Sequence, residues 1–411
     1  MEPRAITRWY QTAARIWLSL AAVSLLLPVS ERLGLWLPLH LALAGAIATA
    51  ISGAMQNFML ALTATPSPPS RLTWAQLILV TVGAALVAYG LPNDLDALVA
   101  VGGTAFVASM VILGWMLWRA WSRSLNKRHG VPMGAYGAAV IAVVIGAGLG
   151  AILGAGSVSG ATYVSLRHAH LSLNVLGFAS LTVVGTLVTL LPTTLRVRLP
   201  PWPGRTVLGL LIGGVSLQAL AWIARSDALL PVGGVAYAGG AVGLVVFVGR
   251  VLRTERRWRL PLAAMHMLAA AGWFLTGSVG LGYALAHGPA GFDDYRTTFL
   301  VAFVGGWLVQ VLLGAWAYLL PMQRPGHPDD RRRMLSAFEL AAPVQLVVLN
   351  VGLVVLALRG AGWVGAAAGD VGVVLTTVGA VMGIAKAWLF PVIGRGNLVD
   401  GDRARDIWGG G

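Results

Sequence analysis

The chain has 411 residues, of which 57% are hydrophobic and 11% are charged, whereas charged residues make up about a quarter of a typical soluble domain. This composition excludes a soluble enzyme and predicts an integral membrane protein. Cysteine is absent, which excludes disulfides, thiolate metal sites and cysteine-linked haem. The formal net charge of +14 does not indicate nucleic-acid binding, because arginines in loops on the inner side of a membrane account for it.

Twelve apolar segments, each long enough to cross a bilayer, follow one another along the chain. They predict an all-α integral membrane protein: a twelve-helix bundle that forms a single transmembrane domain over residues 1–411. The first segment lacks a small-residue cleavage site and is expected to be a retained helix. Residues 391–411 are expected to form a cytoplasmic tail. The segments lie at 11–29, 34–64, 72–91, 95–121, 132–154, 166–193, 203–224, 229–251, 260–286, 297–321, 335–358 and 363–390.

The basic residues give the orientation of the segments. Of the 29 Lys and Arg residues, 24 fall on the side of the membrane that holds the N-terminus. Since inner loops are enriched in Lys and Arg, both termini are predicted to be cytoplasmic, and the protein is expected in the inner or plasma membrane. The five basic residues on the other side are Arg32, Arg167, Arg225, Arg296 and Arg359.

Segments two, six and ten share a glycine pattern that predicts an internal repeat. Each carries two glycines eight residues apart, and the pairs recur at offsets of 132 and 129 residues. The pattern predicts a pseudo-three-fold arrangement of three four-helix units at about 1–130, 131–258 and 259–390. Glycines at these positions would also let neighbouring helices approach closely. The glycines are Gly45 and Gly53, Gly177 and Gly185, and Gly306 and Gly314.

Three histidines share a depth near the predicted outer face: His40 in segment two and the His168-Ala169-His170 stretch in segment six. Neutral imidazole is a usual ligand for haem iron and for copper. Residues i and i+2 of a helix point roughly 200° apart, so at most one of His168 and His170 is expected to share a site with His40. The alternatives are that His40 only bonds a neighbouring helix, and that the other two cap the bundle beside Arg167.

Other side chains of segments nine, eleven and twelve are weaker candidates. Met265 and His266 combine a thioether with an imidazole, which suits copper, although packing and a hydrogen-bonded histidine explain them equally well. Acids inside a membrane are candidates for proton carriers or for partners of a histidine N–H. These acids are Asp370, which is alternatively an exposed end residue, and Glu339, which alternatively pairs with Arg332 or Arg333.

The pattern resembles haem-copper oxidase subunit I and, more closely, the NnrS-type family of haem- and copper-containing membrane proteins linked to nitric oxide stress. The similar features are twelve helices with inner termini, the three-by-four repeat, His40 with Gly45 and Gly53, and His168-Ala169-His170 with Gly177-Phe178 and Leu190-Leu191-Pro192. The resemblance implies a bundle that holds a b-type haem, with copper as a second metal. Segment seven has no histidine, and segment ten has Thr297 and Phe299 at the aligned positions, so a complete oxygen-reducing centre is not expected.

These features predict a haem-binding membrane redox protein, with copper binding left open, in which His40, His168 and His170 are the principal ligands. It would transfer electrons or handle nitric oxide or another diatomic gas in the outer half of the bundle. Its partners would be the lipid bilayer and a periplasmic or extracellular copper or cytochrome protein. The alternative is a cofactor-free twelve-helix transporter, for example of a metal ion, although the common transporters show a two-fold repeat.

Overall fold

The structure is a computed structural model that describes residues 3–125, 127–255, 259–323 and 328–393. All regular secondary structure in these residues is helical, and we number the helices in chain order. They are α1 (Pro3–Ser24), α2 (Trp36–Thr63), α3 (Ser70–Gly90), α4 (Asp96–Arg123), α5 (Gly130–Gly154), α6 (Gly160–Thr194), α7 (Gly204–Ala224), α8 (Leu229–Thr254), α9 (Leu262–Ala286), α10 (Gly288–Asp294), α11 (Arg296–Gln323), α12 (Pro328–Glu339), α13 (Ala342–Gly360) and α14 (Ala366–Ile393).

Among the described residues, eleven helices are long and apolar enough to cross a membrane: α2 to α9, α11, α13 and α14. The chain is therefore a polytopic helical membrane protein, as predicted. The first predicted segment, 11–29, is instead the helix Pro3–Ser24. It is not among the eleven, because Arg8, Gln11 and Arg15 make its N-terminal half polar. That α1 is a twelfth membrane crossing stays a prediction.

The helix α1 begins before the apolar run because one of its faces is buried at helical spacing. The buried side chains on this face are Tyr10, Ala14, Leu18 and Ala21. The predicted eleventh segment, 335–358, is wrong at its start, since α12 ends at Glu339 and α13 begins at Ala342. Ala341 between them has a positive φ of 52°, and Pro343 occupies the first turn of α13. A proline in that place cannot continue a preceding helix.

The described chain divides into two compact units. Each unit has its own core of large, fully buried side chains, among them Tyr136 and Met110 in the first unit and Phe274 and Trp316 in the second. The first unit comprises Met1–Val188, Trp202–Leu244 and Ser278–Asp293, and the second comprises Thr189–Pro201, Val245–Gly277 and Asp294–Gly411.

Glycines bring helices into close contact within each unit. A Cβ atom on Gly83 of α3 would lie 2.7 Å from the carbonyl oxygen of Gly102 on α4. A Cβ atom on Gly53 of α2 would lie 2.6 Å from the Cβ of Tyr10, and one on Gly314 of α11 would lie 2.9 Å from the carbonyl oxygen of Ala263. Side chains larger than hydrogen would push these helices apart, so the glycines act as the small residues that let membrane helices pack.

Three of the long helices contain a π-helical segment, which the sequence did not predict. The segments are Leu41–Ile47 in α2, Ser172–Ala179 in α6 and Val301–Val309 in α11. The π-helix is rare and is frequent at functional sites. Its i→i+5 hydrogen bonds accommodate one extra residue in the turn, so the side chains on either side of it are rotated relative to a continuous α-helix.

Candidate functional site

His40 of α2 and His170 of α6 form a pair in the first unit. Their ring centroids are 6.4 Å apart, and their ring planes differ by only 12°. His40 comes directly before the π-helical segment of α2, and His170 lies two residues before that of α6. The π-helical segments therefore begin where the two helices present their imidazoles to each other.

The backbone fixes the tautomer of both imidazoles. The Nδ1 atom of His40 lies 2.8 Å from the carbonyl oxygen of Trp36, and Nδ1 of His170 lies 2.7 Å from that of Gly146. Because a carbonyl oxygen only accepts, each Nδ1 carries the proton and each Nε2 keeps its lone pair. Within the described part of the chain, neither Nε2 has a hydrogen-bond partner. Metal-ligating histidines commonly use a backbone carbonyl in this way.

Helix α5 holds the His170 ring in a notch made by two glycines. A Cβ atom on Gly150 would lie 2.5 Å from Cε1 and 2.7 Å from Nδ1 of His170, and Gly146 supplies the carbonyl oxygen. Asn174, one turn along α6, donates from Nδ2 to the His170 carbonyl oxygen at 2.7 Å. Neither glycine was predicted as a site residue, although the sequence Gly-Ala-Gly-Leu-Gly at 146–150 is a signal for close helix approach.

Aromatic side chains pack against the imidazole rings of both His40 and His168. The Trp36 indole stacks on His40 with ring centroids 4.0 Å apart and planes 23° apart. His168 has a different environment: its ring packs against Trp222 and, edge to face, against Phe292, with centroids 4.5 and 5.0 Å away. Its Nε2 lies 3.3 Å from Oδ1 of Asp293. The structure therefore brings His170 to His40 and places His168 in a separate aromatic setting with an acid.

His266 lies on α9 in the second unit and is fully buried. Its Nδ1 is 3.4 Å from Oε1 of Gln310 and its Nε2 is 3.2 Å from Nε2 of Gln345. Both ring nitrogens thus face amides, and the single lone pair of the neutral ring accepts from an amide rather than facing open space. The adjacent Met265 is half-buried.

Glu339 lies at the end of α12 rather than one turn into the eleventh segment, because the helix is interrupted before Pro343. Its carboxylate accepts from the backbone N–H of Leu262 at 2.9 and 3.2 Å and so caps α9. Arg332 and Arg333 pair instead with aspartates three residues before them. The second predicted acid, Asp370, is exposed near the start of α14.

Among the described residues, no three His, Asp or Glu side chains lie together as ligands of a metal ion, and the chain has no cysteine. The His40–His170 pair is therefore a two-ligand arrangement. Comparison of the chain with protein-family models and with curated proteins found no match. The geometry of the pair is what carries the functional argument.

Proposed function

We propose that this polytopic membrane protein is a haem-binding redox protein in which His40 and His170 would hold a b-type haem. The observation that carries the proposal is the near-parallel pair of rings, 6.4 Å apart, with both Nδ1 protons committed to carbonyl oxygens. Metal–imidazole bonds are about 2.0–2.1 Å long, so adding the radius of each ring puts two imidazoles on either side of one metal with centres roughly 6 Å apart.

The number of ligands favours haem over a copper ion. A porphyrin supplies four nitrogen ligands of its own, so two imidazoles complete the coordination of its iron. Protein sites for copper or zinc usually need three or four side chains, and no group of three is found in the described residues. When bound, haem would supply a one-electron redox couple.

The same two ligands favour electron transfer over the handling of nitric oxide or another gas. If both His40 and His170 hold the haem, the protein would itself occupy the positions at which a gas molecule binds. Around this centre, the carbonyl of Gly146 would orient His170 and make it a stronger base. Trp36 would cover one face of His40 and exclude water. We place the centre in the outer half of the bundle, where a periplasmic or extracellular cytochrome or copper protein would exchange electrons with it.

The test of haem binding is an optical spectrum of the purified protein, oxidised and then reduced with dithionite, together with iron and copper analysis. We expect a Soret band, sharp α and β bands on reduction, and stoichiometric iron. A colourless preparation without iron or copper, from cells supplied with both metals, would exclude the redox function and leave the cofactor-free transporter. Copper without iron would show that the His40–His170 pair binds copper instead of haem.

We also infer that the bundle is a pseudo-three-fold array of three four-helix units. The π-helical segments support this inference, since they start at residues 41, 172 and 301, which are 131 and 129 residues apart. Each of them contains the first glycine of a predicted pair: Gly45, Gly177 and Gly306. A rare element recurring at almost constant spacing in three helices is readily explained by a repeat.

The proposed orientation, with both termini in the cytoplasm of the cell's inner or plasma membrane, is tested with single cysteines, because the natural chain has none. Ser67 follows α2 in a predicted inner loop, Ser157 follows α5 in a predicted outer loop, and both serines are exposed. In intact cells, a membrane-impermeant maleimide should label Ser157→Cys and not Ser67→Cys. Permeabilised cells should label both, which is the control. Labelling of Ser67→Cys alone in intact cells would invert the orientation.

A further inference from the structure

A cluster of polar side chains is buried between α9, α11 and α13 in the second unit. His266 and Gln310 are fully buried and Gln345 is 1% exposed. Trp273 and Asn350 complete the cluster through hydrogen bonds. Burying imidazole and amide groups among apolar helices is costly unless their hydrogen bonds are satisfied, and polar groups at such depth usually have a function. This cluster is separate from the His40–His170 pair and has no part in the proposed function.

The hydrogen bonds of the cluster have a direction that begins at Trp273. An indole N–H can only donate, and it donates to Oδ1 of Asn350 at 2.8 Å. Asn350 therefore presents Nδ2 to Oε1 of Gln310 at 3.1 Å, and Gln310 returns a bond from Nε2 to Oδ1 of Asn350 at 2.9 Å. Oε1 of Gln310 is thereby fixed as an acceptor, and it faces Nδ1 of His266 at 3.4 Å.

The direction of these bonds determines the state of His266. Nδ1 carries a proton and donates to Gln310, so Nε2 has the lone pair and accepts from Nε2 of Gln345 at 3.2 Å. The other end of that amide, Oε1 of Gln345, is buried and has no hydrogen-bond partner in the described part of the chain. A buried acceptor without a donor costs about 1–3 kcal/mol. With His266 neutral, the cluster therefore lacks a hydrogen-bond donor for Oε1 of Gln345.

We propose that His266 is a proton-binding site and that the side-chain amide of Gln345 flips when the proton binds, so that its oxygen faces His266 in place of its nitrogen. The incoming proton forms a bond to the lone pair of Nε2, and the imidazole becomes an imidazolium with one positive charge. Gln345 then accepts from Nε2–H with Oε1, while Gln310 continues to accept from Nδ1–H. Both N–H groups of the cation are held by amide oxygens, and hydrogen bonds to a charged group are the stronger kind.

Among the described residues, two charged groups lie near the N-terminal end of α9, where His266 is: Glu339 of α12 and Lys386 of α14. Glu339 caps α9 at Leu262, one helical turn from His266, and Lys386 of α14 donates to the carbonyl oxygen of Phe338 at 2.9 Å. The groups that face His266 from α11 and α13 are uncharged amides. Burial raises the pKa of the Glu339 carboxyl, so this group takes up protons at a higher pH than an exposed glutamate. Glu339 is thus an acid near the site that could supply a proton, whereas the positive charge of Lys386 opposes a second positive charge at His266.

Glycines leave space for the amide. A Cβ atom on Gly383 of α14 would lie 2.9 Å from Nε2 of Gln345, and one on Gly314 of α11 would lie 3.0 Å from the Cβ of His266. At these two positions, α14 and α11 approach the cluster without a side chain of their own. Gly314 belongs to the repeat pattern in the sequence, and the structure gives it this local role.

The test uses the full chain, labelled with ¹⁵N-histidine in lipid bilayers, and nitrogen NMR spectra recorded from about pH 4 to pH 9, the range in which histidine titrates. Loss of one signal in His266→Gln assigns His266. We expect that signal to change from a neutral Nδ1–H imidazole at high pH to an imidazolium at low pH. A neutral signal throughout this range would overturn the proposal.

Two substitutions of Gln345 test the role of the amide. Gln345→Met removes the second acceptor and should reduce the proton affinity of His266 at least tenfold, since a hydrogen bond to a charged group contributes about 1.5–3 kcal/mol. Gln345→Glu supplies a permanent acceptor and should increase that affinity. Gln218→Met, at another buried glutamine that donates to Gly233 in the first unit, is the control and should leave the midpoint unchanged. Identical midpoints in all three folded variants would overturn the role of Gln345.

Discussion

Replacing His170 with alanine is expected to abolish haem binding, whereas replacing His168 with glutamine, two residues away on the same helix, should leave most of it. The difference follows from geometry: the His170 ring is parallel to that of His40 at 6.4 Å, and His168 faces Trp222, Phe292 and Asp293. Without His170, one of the two residues that would hold the haem is missing, so we expect haem content to fall by at least the 10–100-fold effect of losing an outer partner.

The measurement is haem per chain from absorbance, in fractions that elute as folded protein in gel filtration. This normalisation is needed because His168 is 1% exposed and its replacement also costs packing. His40→Ala should behave like His170→Ala. If His168→Gln loses haem as completely as His170→Ala, the His40–His170 pair is not the ligand set.

Replacing Gly150 with alanine is expected to displace His170 and to destabilise the protein by about 1–3 kcal/mol, the usual effect of overpacking. The added Cβ would lie 2.5 Å from Cε1 of the imidazole, and moving the ring away breaks its 2.7 Å bond to the Gly146 carbonyl. Haem content should fall, and so should the midpoint of thermal unfolding. The unfolding is measured by tryptophan fluorescence in detergent.

The matched control is Gly148→Ala on the same helix. Nothing lies within 4 Å of a Cβ atom at Gly148, and alanine is a better helix former than glycine by up to about 1 kcal/mol. This variant should be as stable as the natural protein or slightly more stable, with unchanged haem content. Equal behaviour of the two alanine variants would show that the notch around His170 is not tight.

The membrane-spanning helices were predictable because hydrocarbon thickness demands long apolar runs, and these are visible in the sequence. The exceptions have local causes. Helix α1 begins early because Tyr10 belongs to its buried face, which an average over apolar residues does not detect. The separation of α12 from α13 depends on the backbone at Ala341, where a positive φ in a non-glycine residue has no sequence signal. Pro343 was the one feature of the sequence that indicated a break between the two helices.

The candidate site was predictable in part. Helix geometry indicated that at most one histidine of the His168-Ala169-His170 stretch would face His40, but the choice of His170 depends on how α6 is rotated against the glycines of α5. For His266, the sequence argument weighed the neighbouring methionines. It overlooked Gln310 and Gln345, whose amides occupy both ring nitrogens. Glutamines inside apolar segments were the signal, since polar side chains there usually bond across helices.

The π-helical segments make the His40–His170 geometry sensitive to insertions and deletions. A π turn holds one residue more than the α turn it replaces, so deleting a single residue from Leu41–Ile47 would restore a regular helix. His40 would then be turned by about 100° and shifted by about 1.5 Å relative to the rest of α2. Its ring would then no longer lie near-parallel to that of His170. A change in the length of this segment by one residue therefore misaligns the two imidazoles, whereas a substitution that fits the available space leaves the helical register unchanged.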